Sequence, residues 1–329
     1  MERTPLFQLD HVSVTYRRGA LTHQEVRAVD DFSLDIFDDE TVGVVGETGS
    51  GKSTIAKVLT RLENPTRGRV FYKGREMKSL SAKSLFNFRS EVQLVFQDPY
   101  ESLFPRHNVR KTLEVPLRLH RGGGKAPSDS DVAELLDLVE LDRSILEKYP
   151  RELSGGMRQR LSIARALAVH PKFVILDEPV SMLDMSIRAG ILNLLMRLKK
   201  DEGISYMYIT HDLASAKFIC DKMVIMYLGK IIEAGASGQV LDRPAHPYTM
   251  LLLDSIFDLK RPGQLLELPE REELESSMSL PRGCHFHPRC PYATDECTVT
   301  PPAMTTLDGS HAAACYHPLQ ESRSGSRSH

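Results

Sequence analysis

Three short stretches carry residues whose types and spacing suit phosphate chemistry. The first, GETGSGKST, is made of Gly46, Glu47, Thr48, Gly49, Ser50, Gly51, Lys52, Ser53 and Thr54, and satisfies the pattern G-x-x-x-x-G-K-[ST]. Its glycines let the backbone curl so that successive N–H groups, and the N-terminus of a following helix, face phosphate oxygens. Lys52 is placed to reach β- and γ-phosphates, and the Ser53 hydroxyl to ligate magnesium. The second stretch, FVILDE, runs from Phe173 to Glu178 and is an apolar strand ending in two carboxylates. Asp177 at its end can hold magnesium, and Glu178 can polarise an attacking water, a role worth about 10²–10⁴-fold in rate. The third, LSGGMRQRLSIARAL, covers Leu153 to Leu167. There Ser154, Gly155 and Gly156 open a helix and make a second anion-binding terminus, separate from the first.

These residues need a scaffold, and the hydrophobic pattern supplies one. Strands are expected at FQLDHVSVTY, VDDFSLDIF, ETVGVVG, GRVFYKG, VQLVFQD, KFVILDE, ISYMYIT and KMVIMYLGKIIEAG. Helices are expected at KSTIAKVLTRL, ended by Asn64-Pro65, at SDSDVAELLDLVEL behind its Ser and Asp caps, and at GILNLLMRLKKDEG. Strands alternating with helices imply a mainly parallel sheet covered by helices. The pattern turns helical from about residue 105 to 170, as an inserted subdomain would. Beyond about residue 238 the texture changes to more Pro, an acidic run at 270–275, a cysteine cluster and a polar tail, ESRSGSRSH, expected to be disordered.

Composition narrows the function. The chain has 329 residues, 41% hydrophobic and 26% charged, an ordinary globular mix. A formal net charge of -2 and the lack of a basic stripe argue against nucleic acid as a partner. No stretch approaches the roughly 18 apolar residues of a membrane span, and the N-terminus lacks the pattern of a secretory signal. The expectation is a cytosolic protein whose membrane role, if any, runs through partners.

In combination and order, the three motifs resemble the ATP-binding cassette (ABC) family over roughly residues 7–237. The resemblance implies an α/β P-loop core, with a mainly parallel sheet, an antiparallel β portion and a helical subdomain at about 98–170. It implies ATP and Mg2+ as ligands, with Ser53, Gln97 and Asp177 around the metal and Glu178 as base. Tyr16 matches the aromatic that stacks on adenine, Gln97 in LVFQDP the glutamine that senses magnesium and the membrane partner, and His211 in YITHD the histidine at the γ-phosphate. Asp184 closes the loop Ser181-Met182-Leu183-Asp184. The family works as a dimer, ATP lying between the phosphate loop of one subunit and the Ser-Gly-Gly terminus of the other. Met157 is a departure, standing where the common pattern has Gln.

Within that family, QDPYESLFPR (97–106) and RPAHPYTMLLL (243–253) resemble the oligopeptide/dipeptide importer branch, Phe104 replacing its usual Asn. Such a chain spans a nucleotide-binding domain at 1–240, a C-terminal extension at 241–320 and a tail at 321–329. The branch implies a second related ATPase, two membrane permeases, an extracytoplasmic solute-binding protein and a peripheral place on the cytoplasmic face of the membrane. The competing reading is a soluble regulatory or nucleic-acid ATPase without a permease.

Cys284, Cys290, Cys297 and Cys315 are separated by five, six and seventeen residues. That spacing is a poor zinc framework, which favours two to four residues between neighbours. Four thiolates are the ordinary ligand set of a 4Fe–4S cluster, and some members of the branch carry one in this tail. Zinc and unmetallated thiols stay open as alternatives. His285, His287, His311 and His317 are expected to be solvated loop histidines, and Cys220 a core residue.

Overall fold

The computed structural model describes residues 3–18, 24–120, 126–257 and 280–319. The acidic run at 270–275 and the tail at 321–329 lie outside the described residues. The chain opens with β1 (Phe7–Arg18) paired antiparallel to β2 (Gln24–Ile36). Along β1 the buried residues are Phe7 and Leu9, then Val12 and Val14, a change of parity. A bulge at that point, where His11 has φ 51°, absorbs the extra residue and keeps every apolar side chain on the core face. Next come β3 (Thr41–Val45), α1 (Lys52–Leu59), β4 (Arg67–Tyr72) and β5 (Arg75–Glu76). A four-stranded antiparallel sheet forms in the order β2-β1-β4-β5.

The second half of the core follows as α2 (Ala82–Glu91) and β6 (Val92–Val95), then the helical subdomain of α3 (Val109–His120), α4 (Asp129–Leu138) and α5 (Gly155–Leu167). The chain returns through β7 (Phe173–Asp177), α6 (Met185–Glu202), β8 (Ser205–Thr210), α7 (Leu213–Ile219), β9 (Lys222–Tyr227) and β10 (Lys230–Ala236). Then come α8 (Ser237–Asp242), α9 (Pro247–Phe257), α10 (Asp295–Val299), β11 (Thr305–Asp308) and β12 (His311–Ala313).

The large sheet has eight strands in the order β11-β12-β10-β9-β3-β8-β7-β6. From β9 to β6 all neighbours are parallel. These strands are apolar at successive positions because both faces are covered. Phe173, Ile175, Met207 and Ile209 face the core shared with the antiparallel sheet, while Val174, Leu176, Tyr206 and Tyr208 face the core under the helices. KMVIMYLGKIIEAG is a hairpin, turning at Leu228-Gly229, both with positive φ, as a tight two-residue turn requires. The extension adds directly to the sheet, β12 pairing with β10 through Glu233 with Ala313 and Ala234 with Ala312. No helix among the described residues is long and apolar enough to cross a membrane.

Candidate active site

In an open parallel sheet, ligand-binding residues gather beyond the carboxyl ends of the strands. Here four adjacent strands, β3, β8, β7 and β6, deliver in turn the phosphate loop, His211, the Asp177–Glu178 pair and Gln97. The loop after β3 enters α1 through Gly51, at φ 101°, where an added Cβ would lie 2.3 Å from the Ala28 carbonyl oxygen. Only glycine fits there. Lys52 is 5% exposed, and its Nζ donates to the carbonyl oxygens of Gly46 (2.7 Å) and Glu47 (2.8 Å). Burial pushes its pKa down, opposed by the negative charges of Glu178, Asp177 and Glu47. A desolvated ammonium of this kind binds an anionic phosphate oxygen more strongly than a neutral carbonyl.

Asp177 ends β7 with its Oδ1 buried and without a hydrogen-bond partner. Burial pushes its carboxyl pKa up, while a hydrogen bond from Ser53 opposes the shift. An orphaned carboxylate oxygen beside a hydroxyl is a fitting part of the oxygen donor set of Mg2+. Glu178 holds φ 46°, fixed by its N–H donating to the Ile209 oxygen (2.9 Å) and by Ser181 Oγ donating to its carbonyl (3.0 Å). A non-glycine residue held there by its surroundings is a common mark of a functional site. Gln97 Nε2 donates to Glu178 Oε2 at 3.2 Å, and His211 Nδ1 stands 3.1 Å from the same oxygen. Lys52, Asp177, Glu178, Gln97, His211 and Ser53 thus form one constellation.

The remaining expected residues are placed elsewhere. Tyr16 sits half-buried on β1 opposite Val26, packed against the core of the antiparallel sheet. Ser154 caps α5, its Oγ accepting the Met157 N–H at 3.3 Å, and is exposed. Gly156 is buried, and a Cβ there would lie 2.6 Å from Ile187 Cγ2, so close packing against α6 demands this glycine. Met157 packs partly buried against the core. Asp184 is the exposed N-cap of α6, flanked by Met182 and Met185, 66% and 84% exposed. Among the described residues no hydrogen bond links Ser154, Gly155, Gly156 or Asp184 to the phosphate loop.

Cys284, Cys290, Cys297 and Cys315 are free thiols that line one small cavity together with His246 and Phe286. Burial pushes the pKa of Cys284 and Cys290 up, and that of Cys315 to about 11. Among the described residues no three His, Cys, Asp or Glu side chains are grouped to hold a single metal ion. Two histidines differ from expectation. His285 is buried with Nδ1 3.1 Å from the Leu228 oxygen, and His311 is buried with Nε2 2.7 Å from Glu233. Both are drawn inward because the extension packs on the hairpin and does not stand in solvent. Cys220 is buried, as expected of a core residue.

Sequence reasoning missed Arg289 and Tyr248. Arg289 Nη1 donates to both carboxylate oxygens of Glu47, and Tyr248 Oη accepts the Glu47 N–H at 3.0 Å. The one signal available was that each lies beside a recognised stretch, Arg289 before Cys290 and Tyr248 inside RPAHPYTMLLL.

A phosphate loop, an Asp-Glu strand end and a separate Ser-Gly-Gly helix terminus on this sheet define a cassette ATPase. The family described as ABC transporter matches residues 29–181, and that described as oligopeptide/dipeptide transporter, C-terminal region, matches 232–297. The chain belongs to the ABC transporter ATPase subunits of the oligopeptide/dipeptide branch, and it is an ATP-hydrolysing enzyme. It is 40% identical to a putative oligopeptide transport ATP-binding protein, YkfD of Bacillus subtilis, over 96% of each chain. It is 44% identical to the oligopeptide transport ATP-binding protein OppF of Streptococcus mutans, over 77% of this chain and 82% of that one. Among solved structures it resembles a dimeric ATP-binding cassette in a post-hydrolysis state with ADP and Pi, at a TM-score of 0.64 and 29% identity, over 70% of this chain and 98% of that one.

Proposed function

We propose that the chain hydrolyses ATP to drive import of peptides or related small solutes through two membrane permeases, paired with a second, related ATPase. The carrying observation is the constellation around Glu178 combined with a helix terminus whose Ser154 is exposed and, among the described residues, makes no hydrogen bond to the chain's own phosphate loop. The exposed Ser154, Asp184, Met182 and Met185 suit a subunit that completes its ATP site across a dimer. In this reading Tyr16 stacks on adenine, the loop from Gly46 to Thr54 cradles the phosphates and His211 steadies the γ-phosphate. Ser53, Asp177 and Gln97 hold Mg2+, which supplies charge stabilisation at the phosphates. Glu178 takes a proton from the attacking water. Cargo enters from an extracytoplasmic binding protein, and the ATPase sits on the cytoplasmic face. Relatives named for peptide transport favour this over a permease-free regulator.

The division into a nucleotide-binding domain at 1–240 and an extension at 241–320 belongs to the same proposal, and the extension carries a 4Fe–4S cluster on Cys284, Cys290, Cys297 and Cys315. Four free thiols lining one cavity support it. The missing single-ion geometry speaks against zinc, whose four ligands must meet at one point, and less against a cluster whose thiolates bind separate irons. The transport reading is tested by ATP-dependent peptide uptake in cells lacking and regaining the gene; uptake unchanged by its loss would overturn it. The cluster is tested by anaerobic purification with iron, sulfide and zinc assays on wild type and Cys290→Ser. About four irons and four sulfides per chain, lost in the variant, are expected.

A further inference from the structure

Glu47, the second residue of the phosphate loop, is gripped by the C-terminal extension at both its side chain and its main chain. Arg289 Nη1 lies 3.2 and 3.0 Å from the two Glu47 carboxylate oxygens, and Nη2 lies 3.2 Å from Oε1. The Glu47 N–H donates to Tyr248 Oη at 3.0 Å. Arg289 and Glu47 side chains are only 15% and 27% exposed, so this forked, charge-assisted contact is partly shielded from water.

The grip is itself well supported. The Arg289 guanidinium lies 5.9 Å from the ring centres of Tyr227 and Phe286, and Nη1 is 3.4 Å from Tyr227 Oη. The rings of Tyr227, Tyr248 and Phe286 pack against one another with centroids 4.7 to 5.4 Å apart. Tyr227 ends β9, Tyr248 belongs to α9, and Phe286 lies between Cys284 and Cys290. Three parts of the chain therefore meet in one aromatic cluster behind the loop.

We infer that Arg289 and Tyr248 are positioning residues for ATP: they hold the phosphate loop at Glu47, and Arg289 cancels a carboxylate that would otherwise oppose the nucleotide phosphates. This rests on the reading of Gly46–Thr54 as the ATP loop. Glu47 is tied to the phosphate-binding Lys52, whose Nζ donates to the Glu47 carbonyl oxygen at 2.8 Å. Without Arg289 the Glu47 carboxylate competes with phosphate for Lys52 and repels the incoming anion. Arg289 directly precedes Cys290 and ends the short 3-10 turn His287–Arg289, so its reach depends on how the cysteine turn is folded. ATP affinity thus reads the condition of the extension.

The experiment is calorimetric titration of Mg·ATP into the full chain, with kcat measured in parallel. Arg289→Gln is expected to raise the Kd about ten-fold, in line with loss of a forked charged contact. Adding Glu47→Gln to Arg289→Gln restores the part of the affinity lost to the uncancelled carboxylate, so the double variant binds Mg·ATP more tightly than Arg289→Gln. Arg289→Lys falls between, keeping the charge without the fork. The rescue separates charge cancellation from mere packing, because a disordered extension is not mended by neutralising Glu47. A wild-type Kd in Arg289→Gln, or a double variant as weak as Arg289→Gln, overturns the inference. A wild-type chain that binds no ATP overturns the loop reading itself. Should the Arg289 variants fail to fold, Tyr248→Phe decides: it removes one oxygen and keeps the ring, so a Kd raised about three-fold upholds the brace and an unchanged one sinks it.

Discussion

His211 Nδ1 stands 3.1 Å from Glu178 Oε2, the oxygen that also accepts Gln97 Nε2 at 3.2 Å. The two contacts come from the carboxyl ends of β8 and β6, on either side of the strand that carries Glu178. A carboxylate held from both flanks loses little orientational freedom when it acts, which is what preorganisation requires of a catalytic base. Its positive φ and the Ser181 contact on its carbonyl fix the backbone as firmly as the side chain.

Glu178→Gln keeps the size and the contacts of the side chain and removes only its charge and basicity. ATP binding is expected to stay within about three-fold of wild type while turnover falls by about 10² or more. Parallel binding and single-turnover measurements check this. A variant that retains a tenth of wild-type turnover would remove Glu178 as the base.

Asp177 invites the opposite pairing of stability and activity. Burial raises its pKa, so its charged form is disfavoured in the folded state. A folded-state pKa above the unfolded value means that ionisation as pH rises costs stability, and at neutral pH this cost is in place. Asp177→Asn removes it. The thermal midpoint without magnesium should be no lower than wild type, while the extra stabilisation by Mg·ATP over ATP alone disappears. A variant still stabilised by magnesium would show that Asp177 does not hold the ion.

Much of the catalytic centre was readable because each part is a local pattern at a strand end: Lys52 in its loop, Asp177 and Glu178 after FVIL, His211 after YIT. The parallel order of the strands then brings them together without further instruction. What stayed hidden lacks a local signal. Helix α2 buries only Phe88 and shows no apolar stripe, so it vanishes between two recognisable strands. The bulge at His11 is marked by no Gly or Pro. Arg289 and Glu47 are 242 residues apart, and only the return of the extension onto the β9–β10 hairpin makes them neighbours.

Gly156 shows a motif residue with a packing duty. A Cβ at this position would lie 2.6 Å from Ile187 Cγ2, so Gly156→Ala forces α5 and α6 apart or Ile187 from its rotamer. Overpacking of this kind costs about 1–3 kcal/mol. Chemical denaturation should show that loss, and Ile187→Ala in the same chain should recover part of it, since the two residues touch. Strict additivity of the two losses would argue against the contact as the cause.

His246 gives the pH response a definite sign. It is 1% exposed, its Nδ1 accepts the Tyr248 N–H at 3.1 Å, and burial lowers its pKa from 6.5 to about 4. The unfolded chain therefore takes up a proton between about pH 6.5 and 4 that the folded chain refuses. Stability from this residue is complete above pH 6.5 and is lost as pH falls towards 4, by about 3 kcal/mol over the full window. His246→Asn keeps an acceptor for the Tyr248 N–H but cannot titrate. It should be less stable at pH 7, having lost the ring that packs 5.7 Å from Phe286. Between pH 6.5 and 4.5, however, its unfolding free energy should fall less steeply than wild type's. An equal fall in unfolding free energy for the two chains between these pH values, measured by urea titration, would show that the buried imidazole is not what weakens the fold in acid.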